Sequence, residues 1–206
     1  MKKLLEGVIS FKEDYFQKHK DIYKDISYSQ NPHTLFIGCS DSRVIPNIIT
    51  TTLPGELFVV RNIANMVPPY KENSYSFRCT ASAIEYAVNV LGVDNILVCG
   101  HSNCGGCKAL YQEEKLNKTP MVKEWLKLAE DIKKRVLAKN LSSQEEIEFQ
   151  TEQLNIVKQI ENLLTYPFVL DKYEKGELKL IGWYYIIETG DVFNYNFEKQ
   201  EFELIQ

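Results

Sequence analysis

The sequence predicts an α/β fold: a central, mostly parallel β-sheet flanked by helices, with an N-terminal helical arm and a C-terminal β-hairpin. Three observations carry this. Short continuous apolar runs recur along the first half, TLFIG (34–38), LFVV (57–60) and NILVCG (95–100). Such runs suit strands covered on both faces, the habit of parallel sheets. Helical stretches separate the runs, and strands alternating with helices build a parallel sheet. The tail then changes to short alternating runs around a turn, the mark of a hairpin.

Each element follows in order. Residues 2–20 place Leu4, Leu5, Val8, Phe11, Tyr15 and Phe16 on one helical stripe with charges between them. This predicts an amphipathic helix that packs on the domain or on a partner. Gln30–Asn31–Pro32 is a turn before the first strand, and Pro54–Gly55 introduces the second. Residues 80–91 (TASAIEYAVNVL) form a helix stopped by Gly92, and the third strand follows. Residues 105–116 and 120–138 read as further helices. Residues 144–164 carry Ile147, Leu154, Ile156, Val157, Ile160, Leu163 and Leu164 at helical spacing and read as one long helix. Residues 178–187 and 192–197 are the hairpin strands, joined through Thr189–Gly190–Asp191.

Size and charge bound the function. A chain of 206 residues is expected to form a single domain, 1–206, with residues 1–28 as its arm. Lys plus Arg is 24 against 28 Asp plus Glu, a net charge of −4. No basic excess exists to neutralise a phosphate backbone, so nucleic acid is not an expected partner. No run approaches the roughly 18 apolar residues of a membrane span, so no membrane is expected either. Glu6, Lys12, Glu13 and Asp14 interrupt the first apolar residues, which excludes a secretory signal pattern. A cytoplasmic protein is expected. Its five Cys, an odd number, then read as thiols rather than as a disulfide scaffold.

The chemistry gathers at strand ends. Cys39 follows LFIG, and His101 and Cys104 follow ILVCG. In open α/β sheets, ligands bind outside the carboxyl ends of strands. Two strands therefore deliver two thiols and one imidazole to the same edge. Such a Cys2His set holds a catalytic zinc with its fourth position open, and soft thiolates favour zinc over magnesium or calcium. Asp41 and Arg43 lie just past the first of these strand ends. A neighbouring guanidinium keeps an Asp ionised, so Asp41 would accept a hydrogen bond from a metal-bound hydroxide, or bind the metal itself. Arg43 would orient Asp41. Cys79 and Cys99 read as packing, His19 as solvated and His33 as structural. Cys104–Gly–Gly–Cys107 is also a C-x-x-C pattern, which admits a redox pair.

Three motifs in order, CSDSRV (39–44), PGELFVVRN (54–62) and GHSNCGG (100–106), resemble the β-class carbonic anhydrases. Glu85–Tyr86, Gly182–Trp183 and Glu188–Thr189–Gly190 also fit, and the likeness covers residues 28–200. The resemblance implies one Zn2+ per subunit on Cys39, His101 and Cys104, with Asp41–Arg43 as the catalytic dyad. It implies reversible hydration of CO2 to bicarbonate and a proton by zinc-bound hydroxide, with the Gly105 N–H orienting substrate. It also implies a homodimer or a multiple of dimers such as a tetramer, with pocket residues crossing the interface.

The family divides by pocket. One type lines the CO2 site with a Gln nine positions before the first Cys, here Gln30, and with positions matched by Phe58, Ile63 and Tyr86. The other binds bicarbonate on a Trp-Arg-Tyr triad. Arg61 and Tyr185 match two of its positions, but Phe36 stands at the third and lacks the indole N–H. The Gln-lined type is therefore expected. Cys107 is expected to point away from the metal or lie just behind it as a spectator, with zinc ligation by Cys107 as the lesser alternative. Related chemistry on COS or CS2, or a non-catalytic zinc or thiol role, are the competing readings. The Asp41–Arg43 pair argues against the last.

Overall fold

The computed structural model describes residues 1–72 and 77–206. Six strands form one sheet: β1 (Thr34–Cys39), β2 (Leu57–Asn62), β3 (Asn95–His101), β4 (Lys179–Tyr185), β5 (Val192–Asn196) and β6 (Glu201–Leu204). Their order is β2-β1-β3-β4-β5-β6. The first four run parallel, and β5 and β6 are antiparallel additions. The sheet is thus mixed, with the parallel part first in the chain. β6 lies beyond the expected hairpin, because its four residues EFEL are too short to announce a strand by pattern.

Every residue of β1 is buried. Alternation sends Leu35 and Ile37 to one face and Phe36 to the other. The first face meets Ile84, Val88, Ile156, Ile160 and Leu163 in the main core. The second holds a smaller cluster of Phe36, Leu97 and Cys99 against Trp183 and Tyr185. A third cluster sits beyond the carboxyl ends of the strands, where Cys39, Cys104 and Cys107 pack with Met66, Leu110, Ile132 and Val136.

The helices differ in extent from the pattern. The arm is helical over α1 (Lys2–Ser10), a wider π-turn at Phe11–Tyr15, α2 (Phe16–Lys18) and α3 (Lys20–Asp25), and so runs past residue 20. None of its residues is buried within one chain. Its rings pack mainly on each other, Phe16 on Tyr23 at 5.0 Å between centroids. His19, expected to be solvated, stacks on Tyr15 at 4.3 Å. Next come α4 (Pro46–Thr50) and α5 (Arg78–Glu85), which continues as a π-helical turn to Leu91 and stops at left-handed Gly92. The expected 105–116 helix is broken into α6 (Gly105–Ala109) and α7 (Glu113–Asn117), and 120–138 into α8 (Pro120–Leu126) and α9 (Glu130–Leu137). α10 (Gln144–Leu163) is continuous, and α11 (Pro167–Glu174) follows it.

α10 starts on a capping box: the Glu146 N–H donates to Ser143 Oγ at 3.1 Å, and the Glu146 carboxylate accepts from the Ser143 N–H. It packs directly on β3 and β4 because two glycines clear the way. A Cβ on Gly100 would lie 2.7 Å from Ile156, and one on Gly182 would lie 2.8 Å from Ile160. The helix also turns a polar stripe inward. Asn155 donates to the Ala64 carbonyl at 2.8 Å, Gln159 accepts from Val67 N–H at 2.7 Å, and Asn162 donates to the Val67 carbonyl at 2.8 Å. These bonds satisfy the backbone of the 64–67 loop, which would otherwise be buried without partners.

Candidate metal centre

Cys39 ends β1 and His101 ends β3. These strands are neighbours in parallel register, with Gly38 opposite Cys99, so their carboxyl ends coincide. Cys104 follows three residues later, at the N-cap of α6. The two Sγ atoms are 3.9 Å apart, and the three donor atoms all lie within 4.8 Å of one another. All three residues are buried.

The imidazole is set for one task. His101 Nδ1 lies 3.0 Å from the Ser102 carbonyl, which can only accept, so Nδ1 carries the proton. Nε2 is left with its lone pair, buried and without a hydrogen-bond partner. The Ser102 backbone is held in turn, its N–H donating to the Tyr185 carbonyl at 2.9 Å. The thiols are crowded. Cys39 is pushed up to about 12, first by its contact with the Cys104 thiol and then by burial. Cys104 is raised too, chiefly by the neighbouring Cys107 thiol. Two adjacent thiols and a bare imidazole nitrogen are poorly served without a cation. A divalent ion reverses that balance by taking the thiolates and the lone pair together. The donors therefore fit a metal, and three of them leave a position open, as in catalytic sites.

Asp41 stands beside this group. Arg43 Nε donates to Asp41 Oδ1 at 2.9 Å and Nη2 to Oδ2 at 2.8 Å, a two-pronged pair. The guanidinium holds the Asp41 carboxyl well below the usual carboxylate range. Asp41 Oδ2 lies 4.0 Å from His101 Nε2, facing the metal position. Arg61 secures the same loop from below, donating to the Cys39 carbonyl at 2.9 Å and the Asp41 carbonyl at 2.6 Å.

Of the expected pocket residues, Gly105 adjoins Cys104 at the start of α6, and Ile63 touches the Gly106 position of the same helix. Gln30, Phe58 and Tyr86 are not brought to the thiols of their own chain. Gln30 is exposed, before the start of β1. Phe58 pairs with Leu35, near the amino ends of the strands. Four residues of strand rise separate it from the carboxyl edge, about 13 Å. Tyr86 packs against Phe58, ring centroids 5.9 Å apart, and shares that distant position.

The remaining cysteines divide. Cys99 is fully buried, as packing requires. Cys79, expected to be packing, is exposed at the first turn of α5, a correction to that expectation. Cys107 is buried behind Cys104 and outside the three-donor group. The residue that the sequence reading missed is Glu152 on α10. Its carboxylate is buried, accepts the Cys104 N–H at 2.8 Å, and is raised by burial. Its signal was a polar residue at each turn of an apolar helix face, at 152, 155, 159 and 162.

A buried trio of donors that fits a metal, at the carboxyl edge of a largely parallel sheet, points to a metalloenzyme of the α/β class. The family model described as Carbonic anhydrase matches residues 34–192. A carbonic anhydrase of Helicobacter pylori is 43% identical over 207 residues, covering 97% of this chain and 92% of that protein. One of Synechocystis is 42% identical over 199 residues, covering 95% and 71%. The solved β-carbonic anhydrase CcaA superposes with a TM-score of 0.93 at 40% identity, covering 100% of this chain and 92% of that one. The β-carbonic anhydrase of Coccomyxa, solved with acetazolamide, gives 0.79 at 30% identity, covering 92% and 83%. The chain belongs to the β-class carbonic anhydrase family.

Proposed function

We propose that this chain catalyses the reversible hydration of CO2 to bicarbonate and a proton, with one Zn2+ per subunit held by Cys39, His101 and Cys104. The observation that carries the reading is the unpartnered Nε2 of buried His101, between two thiols and beside an ionised Asp41. Zinc bound there would supply Lewis acidity, which makes water nucleophilic near neutral pH. The chain's residues do the rest. Asp41 Oδ2 accepts an O–H and fixes its direction. Arg43 keeps Asp41 ionised and in place, and its own Nη2 is anchored on the Asn103 carbonyl at 3.1 Å. The Gly105 N–H, at the first turn of α6, donates to an oxygen of the bound substrate. The proton released is passed to buffer.

CO2 is small and uncharged, so its pocket is apolar. In this reading Ile63, which touches the Gly106 position at the start of α6, lines that pocket, whereas Gln30, Phe58 and Tyr86 serve the site of a second copy. This reading makes the active unit a homodimer or a multiple of dimers, with residues 1–28 as an exchanged arm on a single domain 1–206. The exposed Leu4, Leu5, Val8 and Phe11 of the arm support it. The Gln-lined pocket type is favoured because Phe36 is fully buried without an N–H to offer, and Arg61 is already committed to the Cys39–Asp41 backbone. A cytoplasmic location follows from the reduced thiols the site needs. Among the described residues no helix is long and apolar enough to cross a membrane.

The test is CO2 hydration by wild type and Asp41→Asn, with zinc measured in both. Asp41→Asn should keep its zinc and lose about 10²–10⁴-fold in kcat/KM, the scale of a lost proton-handling group. Zinc-loaded wild type no faster than buffer overturns the reading.

A further inference from the structure

One peptide beside the metal centre is gripped from both sides. The carbonyl of Asn103 accepts from Arg43 Nη2 at 3.1 Å. The N–H of the same peptide, on Cys104, donates to Glu152 Oε1 at 2.8 Å. Asn103 sits at φ 57°, a left-handed conformation that Asn tolerates and does not prefer. Glu152 is 4% exposed, and its other oxygen accepts the Tyr184 O–H at 2.7 Å. Tyr184 is itself buried in β4, two residues past Gly182, where α10 meets the sheet. The chemistry of hydration makes no use of this carboxylate, yet both its oxygens are taken by donors aimed from opposite elements.

We propose that Glu152, braced by Tyr184, is a positioning residue that fixes the Asn103–Cys104 peptide and thereby both the Cys104 sulfur and the Arg43–Asp41 pair. A peptide unit is planar and stiff. A force on its N–H end is therefore felt at its carbonyl end, and the metal ligand and the dyad are set by one clamp. The proposal rests on the reading of Cys39, His101 and Cys104 as a metal centre. Hydrogen-bond partners of a ligand commonly change metal affinity by about 10–100-fold when removed.

The experiment compares wild type, Glu152→Ala, Glu152→Gln and Tyr184→Phe, each loaded with zinc. Two readouts other than activity are used: the rate of zinc transfer to a chromophoric chelator, and the thiolate-to-metal absorption of the Co2+-substituted forms. Circular dichroism checks folding. Glu152→Ala should release zinc about tenfold or more faster and shift the Co2+ band. Glu152→Gln keeps a carbonyl oxygen for the Cys104 N–H and should fall between it and wild type. Tyr184→Phe should move both readouts the same way, by less. Folded Glu152→Ala with wild-type release and spectrum overturns the proposal; where that variant does not fold, wild-type behaviour of the other two does so. Wild type that takes up no Co2+ through thiolates overturns the metal centre itself, a distinguishable result.

Discussion

At the scale of single residues, the site is a set of groups poised for a cation. His101 is held in the tautomer that bares Nε2, and Cys39 and Cys104 crowd one another. The sign of the pH dependence follows. Cys39 rises from an ordinary 9.0 to about 12 in the folded chain. A raised thiol favours the folded state below its unfolded pKa, and that stabilisation is lost as pH rises through the folded value. Zinc-free wild type should therefore lose more stability between pH 9 and 12 than zinc-free Cys39→Ala, read by urea denaturation across that range. Parallel pH profiles for the two would contradict the crowding. The grouping of Cys39, His101 and Cys104 was legible in the sequence because strand ends in parallel sheets are where chemistry collects. Glu152 was not, because one polar residue on a helix face does not announce which backbone it reaches. Cys79 was misread because burial at a helix start depends on what covers that turn.

At the scale of elements, the long helix α10 is the part that joins core to site. Its apolar residues fill the main core, its glycine contacts draw it onto β3 and β4, and its polar stripe ties down the 64–67 loop and the Cys104 N–H. Gly100→Ala should press a methyl into Ile156 and cost about 1–3 kcal/mol, the range for overpacking, measured by chemical denaturation. A neutral result would mean that α10 has room to shift. The helix was readable from its apolar period and the first three strands from their unbroken apolar runs. Helix breaks at Leu110–Gln112 and near Lys127–Ala129 were not, since no Gly or Pro marks them; Leu110 and Leu126 there are buried in the cluster around Cys107. β6 was hidden for the reason that edge strands often are: short, charged and half-exposed.

At the scale of the whole molecule, one chain looks incomplete in two places. The arm carries apolar side chains into solvent, and β2 ends the sheet with Val59 39% exposed. An apolar edge of this kind calls for a cover. Phe58 and Tyr86 sit near that edge, away from their own thiols. Wild type should sediment as a dimer or a multiple of dimers, and Val59→Glu should shift it toward monomer with zinc retained and activity reduced. A fully active wild-type monomer would contradict the shared pocket. The expectation of an oligomer rests on the family likeness and on the apolar stripe of the arm, because a composition with a net charge of −4 says nothing about which face is covered.

The central claim is that Cys39, His101 and Cys104 hold the metal on which CO2 hydration depends. It is tested most directly by stripping the protein with a chelator, returning zinc in steps, and following CO2 hydration by stopped flow in wild type and Cys104→Ser. The rate should rise linearly to one zinc per chain in wild type and stay flat in the variant. A wild-type rate indifferent to removing and restoring zinc would contradict the account.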